Sequence, residues 1–224
     1  MATSPQPRLA LFDCDGTLVD SQANICVAME DAFGRAGLAP PPRASIRRIV
    51  GLSLVEAVAA LIPHADAGLH RSVAADYKTA FHRLRISGRI APEPLFDGIE
   101  AVLTTLSNDG WLLGVATGKS DRGLNLLLAH HGLADRFVTL QTADRHPSKP
   151  DPAMALAAIE EAGADPHRSV MIGDTSFDMA MGKAAGLRAI GVAWGYHDVA
   201  DMMAAGADVV ADHPAALPRL MDRA

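Results

Sequence analysis

The chain has 224 residues, of which 49% are hydrophobic and 21% charged, and its formal net charge is −6. This composition indicates a globular protein with a substantial core, and the negative charge with no basic cluster beyond Arg47-Arg48 excludes a nucleic-acid-binding surface. No apolar run is long enough to cross a bilayer, and residues 1–8 lack the apolar stretch of a signal peptide, so we expect a cytoplasmic protein with no membrane contact.

Apolar segments typical of buried strands alternate with helical patterns along most of the chain. The predicted strands are 9–12, 111–116, 137–140, 169–172, 188–193 and 208–210. The predicted helices between them are 98–108, 123–131, 152–161 and 177–185. This alternation predicts an α/β fold with a Rossmann-like parallel sheet, in which ligands bind beyond the carboxyl ends of the strands.

Residues 21–91 interrupt this alternation. Helical patterns occur at 22–35, 54–61 and 69–84, and no convincing strand occurs. We therefore predict a helical domain of residues 21–91, inserted into a sheet domain made of residues 1–20 and 92–224. Two prolines at the return connection, Pro92 and Pro94, are expected to stiffen it because their φ angles are fixed.

The first predicted strand is followed by Asp13-Cys14-Asp15-Gly16-Thr17. Two carboxylates at the end of a buried strand repel one another, and the repulsion is tolerable only if a cation or a proton relieves it. The pair Asp13 and Asp15 therefore predicts a functional site. The alternative is a turn in which Asp15-Gly16 only reverses the chain.

A strand end and a loop further along the chain carry groups that could bind an anion. Thr117 offers a hydroxyl, and Gly118 lets a backbone N–H come close to a ligand. Lys149 is restricted by the following Pro150, and a lysine held in this way could offset the charge of a phosphate. Each has an ordinary alternative, a strand-to-loop turn and a solvated lysine respectively, which taken alone would be preferred.

The predicted strand 169–172 leads to Gly173 and Asp174, and Asp178 follows in the first turn of a helix. Hard carboxylate oxygens at this position suit Mg²⁺, which takes few protein ligands and keeps several waters. The alternative is a helix N-cap formed by Asp174 or Ser176, which does not exclude a metal.

These four motifs, in this order, resemble those of the haloacid dehalogenase superfamily, whose phosphatases carry DxDGT, a strand-end Thr or Ser, a Lys and GDxxxD. The resemblance covers nearly the whole chain, including a helical cap of the C1 type inserted after the first motif. It implies a phosphatase, because the family's dehalogenases lack the second acid, here Asp15. Phosphonatases of similar layout need a cap lysine for a Schiff base, and the only lysine of the insert is Lys78, deep in a predicted helix.

The resemblance also implies the role of each residue. Asp13 would be the nucleophile that forms an aspartyl-phosphate, and Asp15 the general acid and base. Mg²⁺ would be held by the carboxylates of Asp13 and Asp174 and by the backbone carbonyl of Asp15, with Asp178 in support. Phosphoryl oxygens would be held by Thr117, the Gly118 N–H and the positive charge of Lys149.

The resemblance leaves the substrate open. Arg47 and Arg48, followed by the loop 51–53, resemble the cap loop of phosphoglycolate-phosphatase-like members, so phosphoglycolate is the first expected substrate among small phosphorylated metabolites. Two solvated arginines are the equal alternative. A β-phosphoglucomutase-like phosphotransferase and a non-catalytic binding protein are the other candidate functions. The oligomeric state is expected to be monomer or homodimer.

Overall fold

The computed structural model describes residues 7–222, so most of the segment 1–8 considered above lies outside the described residues. Six strands form one parallel sheet in the order β3-β2-β1-β4-β5-β6. The strands are β1 (Arg8–Phe12), β2 (Trp111–Thr117), β3 (Thr139–Thr142), β4 (Val170–Gly173), β5 (Arg188–Val192) and β6 (Val209–Ala211). Because β1 lies between β2 and β4, the residues that follow these three strands meet at one edge.

Ten α-helices accompany the sheet in the described residues. They are α1 (Gln22–Arg35), α2 (Arg43–Arg48), α3 (Leu54–Leu61), α4 (Ala67–Ile86), α5 (Ile99–Asn108), α6 (Asp121–His130), α7 (Ala153–Ala162), α8 (Ser176–Ala184), α9 (Val199–Ala204) and α10 (Leu217–Met221). No helix within residues 7–222 is both long enough and apolar enough to span a membrane.

Both faces of the sheet are covered by helices. Ala10 and Phe12 pack in one cluster with buried residues of α5, α6 and α10. Leu9 and Leu11 point the other way and pack with α7 and α8. This is the two-residue alternation of a strand that is buried on both faces, and it confirms the predicted α/β sheet fold.

Helices α1 to α4 lie between β1 and α5 in the sequence and form a hydrophobic cluster of their own. Its buried members include Met29, Phe33, Ile46, Val58 and Val73. We call residues 21–91, which contain these four helices and no strand, the helical segment. Its treatment as a separate domain remains a prediction.

The two connections between the sheet and the helical segment lie side by side. The Asp20 N–H donates to Pro94 O at 2.9 Å, and the Phe96 N–H donates to Leu18 O at 3.0 Å. The two connections of the helical segment therefore lie next to the end of β1, where the predicted site is located.

The predicted strands and helices agree with the structure except in detail. The third strand lies at Thr139–Thr142, two residues later than predicted. Helices α2, α9 and α10 were not predicted. They have five or six residues each, and such lengths are too short to show helical periodicity.

Candidate active site

The carboxyl ends of three neighbouring strands bring the predicted residues together. Asp13 and Asp15 follow β1, Thr117 ends β2, and Asp174 follows β4. Oxygens of Asp13, Asp174 and Asp178 lie within 4.8 Å of one another, and all three residues are buried. We call these three residues the carboxylate cluster.

Lys149 reaches the carboxylate cluster from the loop before α7. Its Nζ lies 2.7 Å from Asp13 Oδ1 and 2.6 Å from Asp178 Oδ1, and its side chain has no exposure. Burial alone would lower the pKa of Lys149, but the two carboxylates outweigh it and raise the pKa, so the ammonium stays charged. Lys149 therefore supplies part of the positive charge that the carboxylate cluster needs.

Two donors fix Asp174. Thr17 Oγ1 donates to Oδ1 and the Tyr196 N–H donates to Oδ2, both at 2.9 Å. The packing around the Asp174 side chain requires glycine at two positions, since a Cβ at Gly16 or at Gly195 would come within 2.2 Å of that side chain. Gly16 also has a φ of +90°, which favours glycine.

Asp178 is fixed by a capping box at the start of α8. The Thr175 N–H and Oγ1 donate to Asp178 Oδ2 at 3.1 and 2.6 Å, and the Asp178 N–H donates to Thr175 Oγ1. Thr175 is the N-cap, so the expectation of a cap at Asp174 or Ser176 is wrong. The carboxylate of Asp174 is thereby left to the cluster.

The carboxylate cluster is not neutralised by Lys149 alone. Asp13 Oδ2 is buried and has no hydrogen-bond partner in the described residues. Burial raises the pKa of Asp13 to about 7, and burial also raises the pKa of Asp174 well above its ordinary value. Three buried acids with one ammonium and an unpartnered oxygen fit a hard divalent cation, whose preferred ligands are carboxylate oxygens.

Asp15 is paired with a different lysine. Its Oδ1 lies 2.8 Å from Lys119 Nζ, and Lys119 Nζ in turn lies 4.0 Å from Glu93 Oε1. Burial would lower the pKa of Lys119, but Asp15 and Glu93 outweigh it and raise the pKa. Sequence reasoning missed both partners. Lys119 could have been found from its place directly after Thr117-Gly118, whereas Glu93 lies in an irregular connection that gives no such signal.

The loop of the helical segment covers the strand ends. A Cβ at Gly118 would lie 2.4 Å from the backbone oxygen of Leu52, and the Ser53 N–H donates to Ser148 Oγ at 2.8 Å. Thr117, which precedes Gly118, is buried. The helical segment therefore touches the sheet at the predicted phosphate-binding residues.

A cavity of about 900 Å³ lies between the helical segment and the strand ends, and Asp15 and Gly118 line it. Arg47 and Arg48 are exposed and are not among its lining residues. The Arg48 guanidinium instead lies 3.8 Å from Asp198 and 4.0 Å from Asp201. The structure thus does not bring these arginines to the other site residues, and their contact with substrate remains a prediction.

Residues 10–192 match the family model described as haloacid dehalogenase-like hydrolase. The chain belongs to this family. It is 36% identical over 208 residues to a Dickeya dadantii protein named "Probable phosphatase IndB", covering 91% of this chain and 89% of that protein. It is 34% identical over 233 residues to a phosphoglycolate phosphatase of Agrobacterium fabrum, covering 100% and 96%.

A solved structure of a hydrolase from Pseudomonas syringae matches with a TM-score of 0.84 and 25% identity, covering 98% of this chain and 99% of the other. Together with the relatives, this match confirms the predicted family and fold. The predicted enzyme class is also confirmed: the chain is a phosphatase of this hydrolase family.

Proposed function

We propose that this phosphatase hydrolyses phosphomonoesters of small metabolites in the presence of Mg²⁺, through an aspartyl-phosphate on Asp13. The observation that carries the proposal is the state of the Asp13 carboxylate. Lys149 fixes Oδ1, while Oδ2 is buried and has no partner in the described residues. A carboxylate so held at a strand end is oriented for attack without being fully engaged by protein donors.

The chain's own residues account for both halves of the reaction. A carboxylate oxygen of Asp13 bonds to phosphorus as the ester P–O bond breaks, and Asp15 gives its proton to the leaving oxygen. Asp15 then takes a proton from the water that attacks phosphorus, which releases phosphate and restores Asp13. The placement of Asp15 supports this, because it lines the cavity while Lys119 holds its side chain.

The proposed Mg²⁺ ligands are the carboxylates of Asp13 and Asp174 and the backbone carbonyl of Asp15, with Asp178 in support. When bound, the ion supplies positive charge that offsets the repulsion between an anionic phosphate and anionic Asp13. Lys149, Thr117 and the Gly118 N–H would hold phosphoryl oxygens, so that positioning and charge supply most of the catalysis.

The name of the Agrobacterium fabrum relative makes phosphoglycolate the first substrate to assay. Arg47 and Arg48 remain proposed contacts for its carboxylate. A β-phosphoglucomutase-like phosphotransferase would pass the phosphoryl group to a sugar phosphate and release little inorganic phosphate. A non-catalytic binding protein would release none.

Phosphate release from a panel of phosphate esters, with Mg²⁺ and with excess chelator, tests the proposal. We expect Mg²⁺-dependent release that falls by about 10⁴-fold or more in the Asp13→Asn variant, since removal of a nucleophile removes the covalent route. Asp97→Asn, at an exposed acid, is the matched control and should keep full activity. Retained turnover in a folded Asp13→Asn protein would refute the nucleophile assignment.

A further inference from the structure

The cavity is larger than a two-carbon leaving group requires. The Leu52 and Ser53 contacts hold the helical segment against the sheet, yet about 900 Å³ of space remains beside Asp15. Cavities of roughly 300–1,000 Å³ enclose ligands of drug size. A group the size of phosphoglycolate therefore leaves most of this space unfilled.

The cavity lies on the leaving-group side of the proposed reaction. Asp15, which would protonate the leaving oxygen, is among its lining residues, whereas Asp13, Thr117 and Lys149 are not. Asp13 and Lys149 are also almost entirely buried. Whatever occupies the cavity during the reaction is thus the part of the substrate that departs with the ester oxygen.

Part of the cavity wall is apolar and exposed. Val55 of α3 and Leu126 of α6 keep 38% and 48% of their surface exposed, and they belong to opposite walls. Met29 and Phe81 add further apolar surface. Covering exposed apolar surface lowers the free energy of the complex. These walls therefore favour a leaving group with an apolar body that spans them.

The wall is also cationic, in a chain whose net charge is −6. Among residues 7–222, five Lys and Arg side chains line it against three Asp and Glu side chains. Lys78 lies 3.8 Å from Asp144, and Lys119 and Arg85 are paired with acids as well.

Arg71 and Arg122 differ from these paired cations. Neither has a hydrogen bond or salt bridge with any residue in the range 7–222, and both line the cavity. A guanidinium binds a carboxylate or phosphate through two parallel hydrogen bonds, so each is suited to an anionic group of a bound ligand.

Resting on the proposed function, we propose that the leaving group of the physiological substrate is a ring-sized, partly apolar body that carries its own anionic group. Arg122 and Arg71 would bind this anion, and Val55 and Leu126 would cover the body. The anion is a carboxylate or a second phosphate, which share the same recognition by guanidinium.

Two matched substrate pairs test the proposal and distinguish the two anions. N-acetylmuramic acid 6-phosphate and N-acetylglucosamine 6-phosphate differ by a carboxylate-bearing group, and glucose 1,6-bisphosphate and glucose 6-phosphate differ by a phosphate. In at least one pair, we expect the member with the additional anionic group to have a kcat/KM about tenfold or more above that of the member without it and above that of phosphoglycolate.

Arg122→Gln and Arg71→Gln should each reduce that preference by about tenfold, the effect of one charge-assisted hydrogen bond. Arg219→Gln, at an exposed arginine of α10, is the matched control and should leave the preference unchanged. A higher kcat/KM for phosphoglycolate, equal values within both pairs, or an unchanged preference in both arginine variants would overturn this inference alone. Hydrolysis of none of the five esters would instead refute the proposed function.

Discussion

The carboxylate cluster and the cavity wall differ in how firmly the protein holds their side chains. Lys149 is fully buried between Asp13 and Asp178, and Asp174 has two donors of its own. On the cavity wall, Arg71 and Arg122 have no hydrogen bond or salt bridge in the part of the chain that the structure describes.

This difference separates two kinds of function. Groups held by several protein partners are positioned before any ligand arrives, as charge stabilisation in phosphoryl transfer requires. Exposed groups without a protein partner, such as Arg71 and Arg122, are free to contact a ligand, so they affect which ligand is bound. Substitutions in the carboxylate cluster should therefore change stability and rate, and substitutions in the cavity wall should change substrate preference.

Replacing the buried cation should give the largest effect on stability. Lys149→Met leaves the Asp13 and Asp178 carboxylates buried without their common partner. Breaking a buried ion pair in this way costs about 3–5 kcal/mol, because an uncompensated charge stays in the interior. Urea denaturation should show a decrease of this size in the free energy of unfolding.

Lys183→Met is the matched control for that variant. Lys183 Nζ contacts both oxygens of Asp208 at 3.0 Å, but 43% of its side chain is exposed, so we expect a loss below about 1 kcal/mol. Equal losses in the two variants would mean that burial of the Lys149 pair has no special consequence, and the contrast between the two regions would fail.

Residues at strand ends could be predicted from the sequence more directly than residues in loops. Asp13, Asp15, Thr117 and Asp174 lie at the ends of buried strands, and parallel strands place their ends at one edge whatever the details of packing. Lys149 lies in a loop and was predicted only from its neighbour Pro150 and the family resemblance. The sequence also indicated the main elements of the fold, because long periodic segments determine them.

What the sequence could not predict depends on contacts between distant segments. Glu93 approaches Lys119 across 26 positions of sequence, and no local pattern records that approach. Arg47 and Arg48 were chosen by resemblance, whereas Arg71 and Arg122 line the cavity because α4 and α6 face each other across it. Side-chain direction across a cleft is a property of tertiary packing and not of spacing.

A substitution at the contact between the two regions should have an intermediate effect. In Gly118→Ala the new Cβ would lie 2.4 Å from Leu52 O and 2.8 Å from Gly51 O, so the loop of the helical segment must move away. We expect kcat/KM to fall about tenfold, because this movement displaces groups near the reacting centre. Steady-state phosphate release measures this.

Gly34→Ala provides the comparison for Gly118→Ala. A Cβ at Gly34, inside α1, meets nothing within 4 Å, so this variant should keep full activity and gain about 0.5–1 kcal/mol of stability. If Gly118→Ala were as active as Gly34→Ala, the contact of the loop with Gly118 would have no part in the reaction.

The smallest expected effect concerns pH and applies to the carboxylate cluster alone. Burial raises the pKa of Asp13 to about 7, so the metal-free folded protein keeps a proton that the unfolded chain has already released. The contribution of Asp13 to the stability of the metal-free protein therefore falls as pH rises from about 4 to 7, and Mg²⁺ must displace that proton to bind. The rise in Tm caused by Mg²⁺ should be about 3–5 °C larger at pH 8 than at pH 6, since the Asp13 proton alone changes the affinity about tenfold between these conditions. Asp174, whose pKa is also raised by burial, can only increase the difference.

Thermal melts at constant ionic strength measure this difference, and two variants assign it. Asp174→Asn should abolish the response to Mg²⁺, because it removes a proposed ligand with two fixed donors. Arg122→Gln should keep the whole response, because the cavity wall does not contribute to the metal site. An equal Mg²⁺ effect at both pH values would mean that no proton leaves Asp13 when the metal binds. A loss of the response in Arg122→Gln would mean that the two regions are coupled, and the division between catalysis and substrate choice would then have to be abandoned.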